Sequence, residues 1–400
     1  KFNQLIKEEV SKINNQIQIE LEDVRILLNL KNYTIGLKIN NSKLLTQNKK
    51  INLEDITTNF SIGSFIKKEF AIKNLLISTK KNSLKDIISL ARIYQNSPQL
   101  FIIDKIVKNG NIVASINLTF DEKGKITKKY NIKGKIFDAN LRLLNKREIN
   151  KINFNFEIND KAYLLEDAKI EFEGIKLTSK DIKINNKDKY FLVKGDISSV
   201  ESDIKNEILS KYFKLSLNDL NISDIKISTN NNFSFQIDKK LKFSKIEINS
   251  KINLVKLIYK PKNLNLKKYL PKYNGTIELN DNSIEVIYDN KKTIFKSSGK
   301  FILNETNDKL NLQVTYKDGN YNIKSEVKLI NNPILIKFLN YKKKENKDST
   351  LNIEALIKKN KNILVQNFTF VESNNKFLID DLSLNKNLKI NYINKLEVDY

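Results

Sequence analysis

The chain has 400 residues, a formal net charge of +25, 40% hydrophobic residues, and no Cys, His, Met or Trp. That composition is lean but globular; it excludes disulfides, thiolate metal sites and every nucleophile–base pair built on His or Cys. A chain that opens on Lys1 and lacks Met is expected to be a mature product or an excised segment.

Residues 2–14, "FNQLIKEEVSKIN", place Phe2, Leu5, Ile6, Val10 and Ile13 at helical spacing, so 1–14 is read as a short amphipathic helix. From Ile17 the period becomes two. Ile35, Leu37 and Ile39 share one row, and strands follow at 51–57 and 69–79. Residues 83–95, "SLKDIISLARIYQ", form the best internal helix, with Ser83 as cap and Leu84, Ile87, Ile88 and Ala91 on one face. Asn96-Ser97-Pro98 ends it. "QLFIIDKIVKNG" (99–110) suits either a second short helix ending at Gly110 or a buried strand. A third helix is expected over 200–213, from Ile204, Ile208 and Leu209.

The remainder alternates. A hairpin over 116–143 sets Ile116, Leu118 and Phe120 against Ile126, Tyr130 and Ile132 across Asp121-Glu122-Lys123-Gly124. Two adjacent apolar residues at Ile136-Phe137 indicate a bulge. Further rows are Ile152, Phe154, Phe156 and Ile158; Ala168, Ile170 and Phe172; Phe233, Phe235 and Ile237; and Ile246, Ile248, Ile252 and Leu254. Leu310, Leu312, Val314 and Tyr316 run into the turn "KDGN" and return as Tyr321, Ile323, Val327 and Leu329. Leu351, Ile353, Ala355 and Ile357 parallel Val365, then Phe368 and Phe370 after a register change; Leu388, Ile390 and Tyr392 close the set. Loops are short and polar, which suits an antiparallel meander. Two of the four prolines fall in "YKPKNLNLKKYLPKY" (259–273), the expected boundary or interruption.

The positive charge invites nucleic acid as a partner, and the residue types argue against it. Only Arg25, Arg92, Arg142 and Arg147 among the 71 basic residues are arginine, the residue that supplies most bidentate contacts to phosphate and guanine. The lysines are dispersed, Lys342-Lys343-Lys344 being the main run. Their joint excess with Asn and Ile is what AT-rich coding drift produces, and lysines on a solvated sheet face protect its edges from aggregation. Nucleic acid is therefore not expected. No apolar run reaches the roughly 18 residues of a helical membrane span, and no cleavable leader opens the chain; an anchor or export signal would lie upstream of Lys1.

Little here carries chemistry. Neither phosphate-loop nor dinucleotide glycine motifs occur, and no metal or cofactor is expected. The carboxylate pairs Glu8-Glu9, Asp380-Asp381 and Glu171/Glu173 match lysine neighbours on a solvated face. The sequons at 117–119 and 367–369 are what Asn-rich sequence makes by chance. The chain is not expected to be an enzyme.

About twenty half-apolar strands need their apolar faces hidden. A β-sandwich, a membrane barrel and a curled sheet with an open groove all achieve this. A membrane barrel predicts strands of about 9–11 residues and aromatic girdles, whereas the rows here are shorter and their aromatics scattered.

The order of features in "FSIGSFIKKEFAIKNLLISTKK" (60–81), "SLKDIISLARIY", the 111–144 meander and 152–198, with its "GIKLTSKDIKI" and "FLVKGDI" strands, resembles the AsmA-like family, in particular its YhdP- and TamB-type envelope proteins. The likeness covers about residues 15–200 and then continues as pattern only; the family's amino-terminal anchor is absent from this chain. It implies a mainly β fold, a long antiparallel meander curled into an elongated groove with a few short helices. The groove would carry phospholipid acyl chains between inner and outer membranes, in the periplasm or cell envelope, as in chorein-type bridge proteins. The organisation expected is a helix at 1–14, a groove segment over 15–200 with the helix near 83–95, a continuing segment over 201–258, the interruption at 259–273 and a further groove segment over 274–400. Membrane contacts would lie outside this segment, and the oligomeric state is left open.

Twenty strands at ~4.8 Å would extend ~95 Å, and a six-residue strand spans ~20 Å, room for an extended acyl chain. The expected lining is Ile116, Leu118, Phe120, Ile152, Phe154, Phe156, Ile170, Phe172, Phe233, Phe235, Ile237, Leu310, Leu312 and Val314. The same rows would form the dry core of a structural or adhesive surface protein built from sandwich or solenoid modules, which is the alternative reading.

Overall fold

The computed structural model describes residues 4, 7, 8, 17–29, 34–46, 49–61, 72–94, 97–121, 123, 125–143, 146–205, 207, 208, 221–261, 266–358, 363–385 and 389–399. Among the described residues the fold is mainly β, an antiparallel meander of 23 strands, with two further strands paired to each other. Two compact units divide it: Lys1–Gly195 with Ile237–Lys242, and Asp196–Gln236 with Phe243–Tyr400. The division falls within a strand, away from the proline segment at 259–273. The expected helix at 1–14 lies mostly outside the described residues; Gln4, Lys7 and Glu8 are helical. Among the described residues no helix is long and apolar enough to cross a membrane.

The first unit holds β1 (Ile17–Glu20), β2 (Asp23–Asn29), β3 (Thr34–Asn40), β4 (Lys43–Thr46), β5 (Lys49–Ser61), β6 (Ile72–Thr79) and β7 (Asn82–Ser83). Two helices follow, α1 (Leu84–Tyr94) and α2 (Pro98–Ile106). Then come β8 (Val107–Thr119), β9 (Asn131–Arg142), β10 (Glu148–Ile158), β11 (Ala162–Phe172) and β12 (Ile175–Asn186), with β13 (Tyr190–Ile204) crossing the division. Ser97 caps α2, its Oγ accepting the Leu100 N–H at 3.3 Å, with Pro98 in the first turn. Of the two readings of 99–110, the helix holds as far as Ile106, and strand begins at Val107.

The second unit contains most of β14 (Ile222–Asp238), whose last two residues belong to the first, then β15 (Phe243–Tyr259), β16 (Ile277–Asp289), β17 (Lys292–Leu303), β18 (Thr306–Lys317) and β19 (Asn320–Lys328). After β20 (Ile334–Ile336) and β21 (Tyr341–Lys343), the meander resumes with β22 (Thr350–Ile357), β23 (Ile363–Glu372), β24 (Asn375–Leu384) and β25 (Ile390–Asp399). The helix expected from Val200 does not start there, because β13 runs to Ile204; of its remainder Lys205, Glu207 and Ile208 are described, and the last two are helical. The turn at Asp318-Gly319 has φ of 51° and 83°, the type I′ geometry that an Asp-Gly hairpin favours.

Bulges bend the strands, and asparagine side chains satisfy them. The bulge expected at Ile136-Phe137 is present: Asp138 takes φ 49°, and the β8–β9 register slips between Asn109 and Asn111. Lys151 on β10 and Asp167 on β11 repeat the left-handed conformation. Asn153 Oδ1 accepts the Asp138 N–H at 3.2 Å, and Asn140 Oδ1 accepts the Lys151 N–H at 3.1 Å. In the second unit Asp281 (φ 52°) makes the same kink beside Asn282. Asn282 is fully buried, and its Nδ2 donates to the carbonyls of Asn280 and Lys300 at 3.0 and 2.9 Å. Bulges raise local twist and bend a sheet, so part of the asparagine excess is structural.

Candidate functional site: the apolar sheet faces

Strand register turns the sequence rows into continuous ladders. In the first unit Val24, Ile39, Ile56, Ile77, Ile116, Ile132, Ile158, Tyr163 and Ile184 stand opposite one another in succession across nine strands. In the second, Val286, Phe295, Val314, Ile323, Ala355, Val365, Leu382 and Ile393 do so across eight. A row on the same face, two residues along, holds Ile284, Ser297, Leu312, Ser325, Ile353, Phe368, Ile379 and Leu396. The register change expected before Phe368 is the slip between Glu354 and Ala355.

Each unit covers one end of its apolar face and builds a dry core there. In the first, α1 lays Leu84 and Ile88 on Val107, Ile112, Ala139, Ile152 and Phe156, all buried. Phe156 reaches in because Gly134 stands opposite it; a Cβ at Gly134 would come within 2.6 Å of the Phe156 ring and would also strike the Val113 carbonyl. An ion pair between Arg92 and Asp104 joins α1 to α2.

In the second unit the cover is residues 266–273 of the proline segment together with β20 and β21. Tyr273, Ile334 and Tyr341 close over Phe301, Leu303, Leu329 and Phe370, and the Leu335 N–H donates to the Tyr269 carbonyl at 2.9 Å. The described residues 266–273 of the interruption thus form part of a cap over the sheet.

A polar knot fastens this second cap. The Lys343 ammonium, fully buried, donates to the carbonyls of Ile330, Asn332 and Lys344 at 3.1, 2.9 and 3.2 Å. Burial holds its pKa below the usual lysine value, against the pull of Asp308 and Glu372. The Asp308 carboxylate accepts the backbone N–H groups of Ile330, Asn331 and Asn332. The Tyr341 hydroxyl donates to Glu372, and burial followed by that carboxylate pushes the phenol well above its ordinary value. Lysine runs read as solvated charge, so the sequence offered no sign of this knot beyond Pro333 breaking the strand pattern.

Away from the caps the apolar rows are only half covered. Ile39 is buried and the other eight members of the first ladder are half-buried, Ile132 and Ile158 among them packing against the α1 core. In the second ladder Ala355 is buried, Ile393 is 39% exposed and the rest are half-buried. The middle of a sandwich face would be dry.

The expected lining residues divide accordingly. Ile116, Leu118 and Phe120 lie on the half-covered face, as do Leu312 and Val314. Phe172 is half-buried at a strand end, and the Phe233 and Phe235 rings stack at 5.8 Å; Ile237 is half-buried near the end of β14. Ile152 and Phe156 are 6% and 8% exposed beneath α1, with Phe154 and Ile170 packed on the same core. Leu310 packs on the second core. Ile152 and Phe156 are dry interior and the half-buried Phe154, Ile170 and Leu310 pack against it, because the caps reach their end of the strands.

The opposite face is wet, and one of its rows carries ion pairs between neighbouring strands. Lys251, Glu285, Lys296, Gln313, Lys324, Glu354, Asn367, Asp380 and Lys395 form one register row in the second unit. Within it Lys296 pairs with Glu285 at 3.0 Å and Lys324 with Glu354 at 3.1 Å. A cleft of about 490 Å³ lies over this row and the neighbouring Ser283, Ser298, Asn311, Glu326 and Asn352. That concavity is therefore on the polar side.

Comparison with family models, curated proteins and solved structures gave no match to this chain.

Proposed function

We propose that the half-covered apolar ladders hold phospholipid acyl chains, and that the protein carries lipid between membranes as an AsmA-like, bridge-type transfer protein of the cell envelope. The observation that supports this is the half-burial of the central rows. Ile56, Ile77 and Ile116 in one unit, and Phe295, Val314 and Ile323 in the other, form an apolar surface outside the two buried cores. Soluble proteins do not leave such a surface in contact with water at no cost. Each Å² of apolar area that an acyl chain covers is worth ~25 cal/mol, and it needs neither a motif nor a catalytic group. Passive carriage then requires rows continuous from strand to strand, as register provides.

The test is transfer of fluorescently labelled phospholipid from donor to acceptor vesicles. The purified chain should raise the rate in proportion to its concentration, and Ile116→Asp with Val314→Asp should abolish the gain while the circular dichroism stays unchanged. A rate equal to that without protein would remove the proposal.

A further inference from the structure

On the wet face of the second unit one row breaks the matching of charge. Lys300 on β17, Lys309 on β18 and Lys328 on β19 stand directly opposite one another. All three are exposed, and none has an ion-pair partner among the described residues. Like charges set directly opposite destabilise a sheet. Four residues away on the same strands, Lys296 and Lys324 are neutralised by Glu285 and Glu354, so the wet face is not built this way throughout. The row continues through Thr350 to Val371, which is 37% exposed, and Ile330, just beyond Lys328, is 39% exposed.

We propose that this lysine row docks on the surface of a bilayer containing anionic phospholipid. Lipid phosphates would supply the negative charge that the row lacks, and exposed aliphatic side chains beside lysines suit the headgroup boundary. The row itself has no aromatic ring to stack on a base, which single-stranded nucleic acid would use. The lipid-carriage reading supplies the choice of surface, but docking is measured separately from carriage.

The experiment is co-sedimentation with vesicles of phosphatidylcholine, with and without phosphatidylglycerol, at low and high salt. The intact chain should bind the anionic vesicles, release them in salt and ignore the neutral ones. Lys300→Gln with Lys309→Gln and Lys328→Gln should weaken binding on the order of a hundredfold, since each lysine near an anionic surface contributes about one factor of five. The control of equal charge, Lys251→Gln with Lys296→Gln and Lys324→Gln, should change it by less than about threefold. No binding by the intact chain, or equal losses in the two variants, would overturn the proposal. So would single-stranded DNA that displaces the vesicles and that the first variant alone fails to bind. Lost docking with bound lipid unchanged fells docking alone; lost lipid with docking intact fells carriage alone.

Discussion

Ile77 on β6 and Ile116 on β8 face each other in mid-sheet, each half-buried, within a ladder that is aliphatic apart from Tyr163. Ile152 on β10 belongs to the same sheet and is 6% exposed, because α1 covers it. Ile77→Asp with Ile116→Asp should therefore leave a folded protein that has lost its lipid. Ile152→Asp should unfold the first unit, since an unpaired charge there has no water within reach. Urea titration followed by circular dichroism separates the two; equal unfolding by both variants would mean that the ladder is ordinary core.

The second cap predicts a similar contrast among leucines and valines. Leu303 is 1% exposed beneath the cap, and Leu303→Ala should cost about 3 kcal/mol through transfer and cavity terms. Val314, half-buried in the open ladder, should cost about 1 kcal/mol or less as Val314→Ala. The measurement is the shift in urea midpoint at unchanged slope.

Gly134→Ala should destabilise the first unit by about 1–3 kcal/mol, because the new methyl meets the Phe156 ring and the Val113 carbonyl. Adding Phe156→Leu should recover part of that loss by removing the ring. Gly174→Ala meets nothing within 4 Å and carries only the strain of φ 81°, about 1 kcal/mol. Thermal melts of the three variants rank these effects.

Alkaline pH tests the knot under the second cap. A phenol whose folded pKa is raised contributes stability that is complete below its unfolded value near 10 and is lost as pH rises toward the folded value. Tyr341 is such a group, raised by burial and by Glu372. Lys343, held low by burial, gives the opposite slope, so the diagnostic is a difference. Stability above pH ~10 should fall more steeply in the intact chain than in Tyr341→Phe, although the variant starts lower at neutral pH. Parallel curves would show that Tyr341 is not held protonated by the fold.

Much of this architecture was legible in the residues. Period-two alternation placed the strands, "KDGN" placed a hairpin, and the pair Ile136-Phe137 marked a real bulge. What alternation does not encode is cover. Phe156 and Val314 read identically along the chain, yet one lies under a helix and the other in an open ladder. Lys343 read as one more solvated lysine, since only the return of β21 over the sheet buries it. Asn153 and Asn282 read as compositional drift, while in three dimensions their side chains satisfy backbone groups that bulges leave unpaired.

Native mass spectrometry of the purified chain, with lipid extraction from the same sample, tests the central claim most directly. The account predicts co-purified phospholipid that is lost from Ile77→Asp with Ile116→Asp and retained by the lysine-row variant. A chain that repeatedly purifies folded and free of lipid would contradict it.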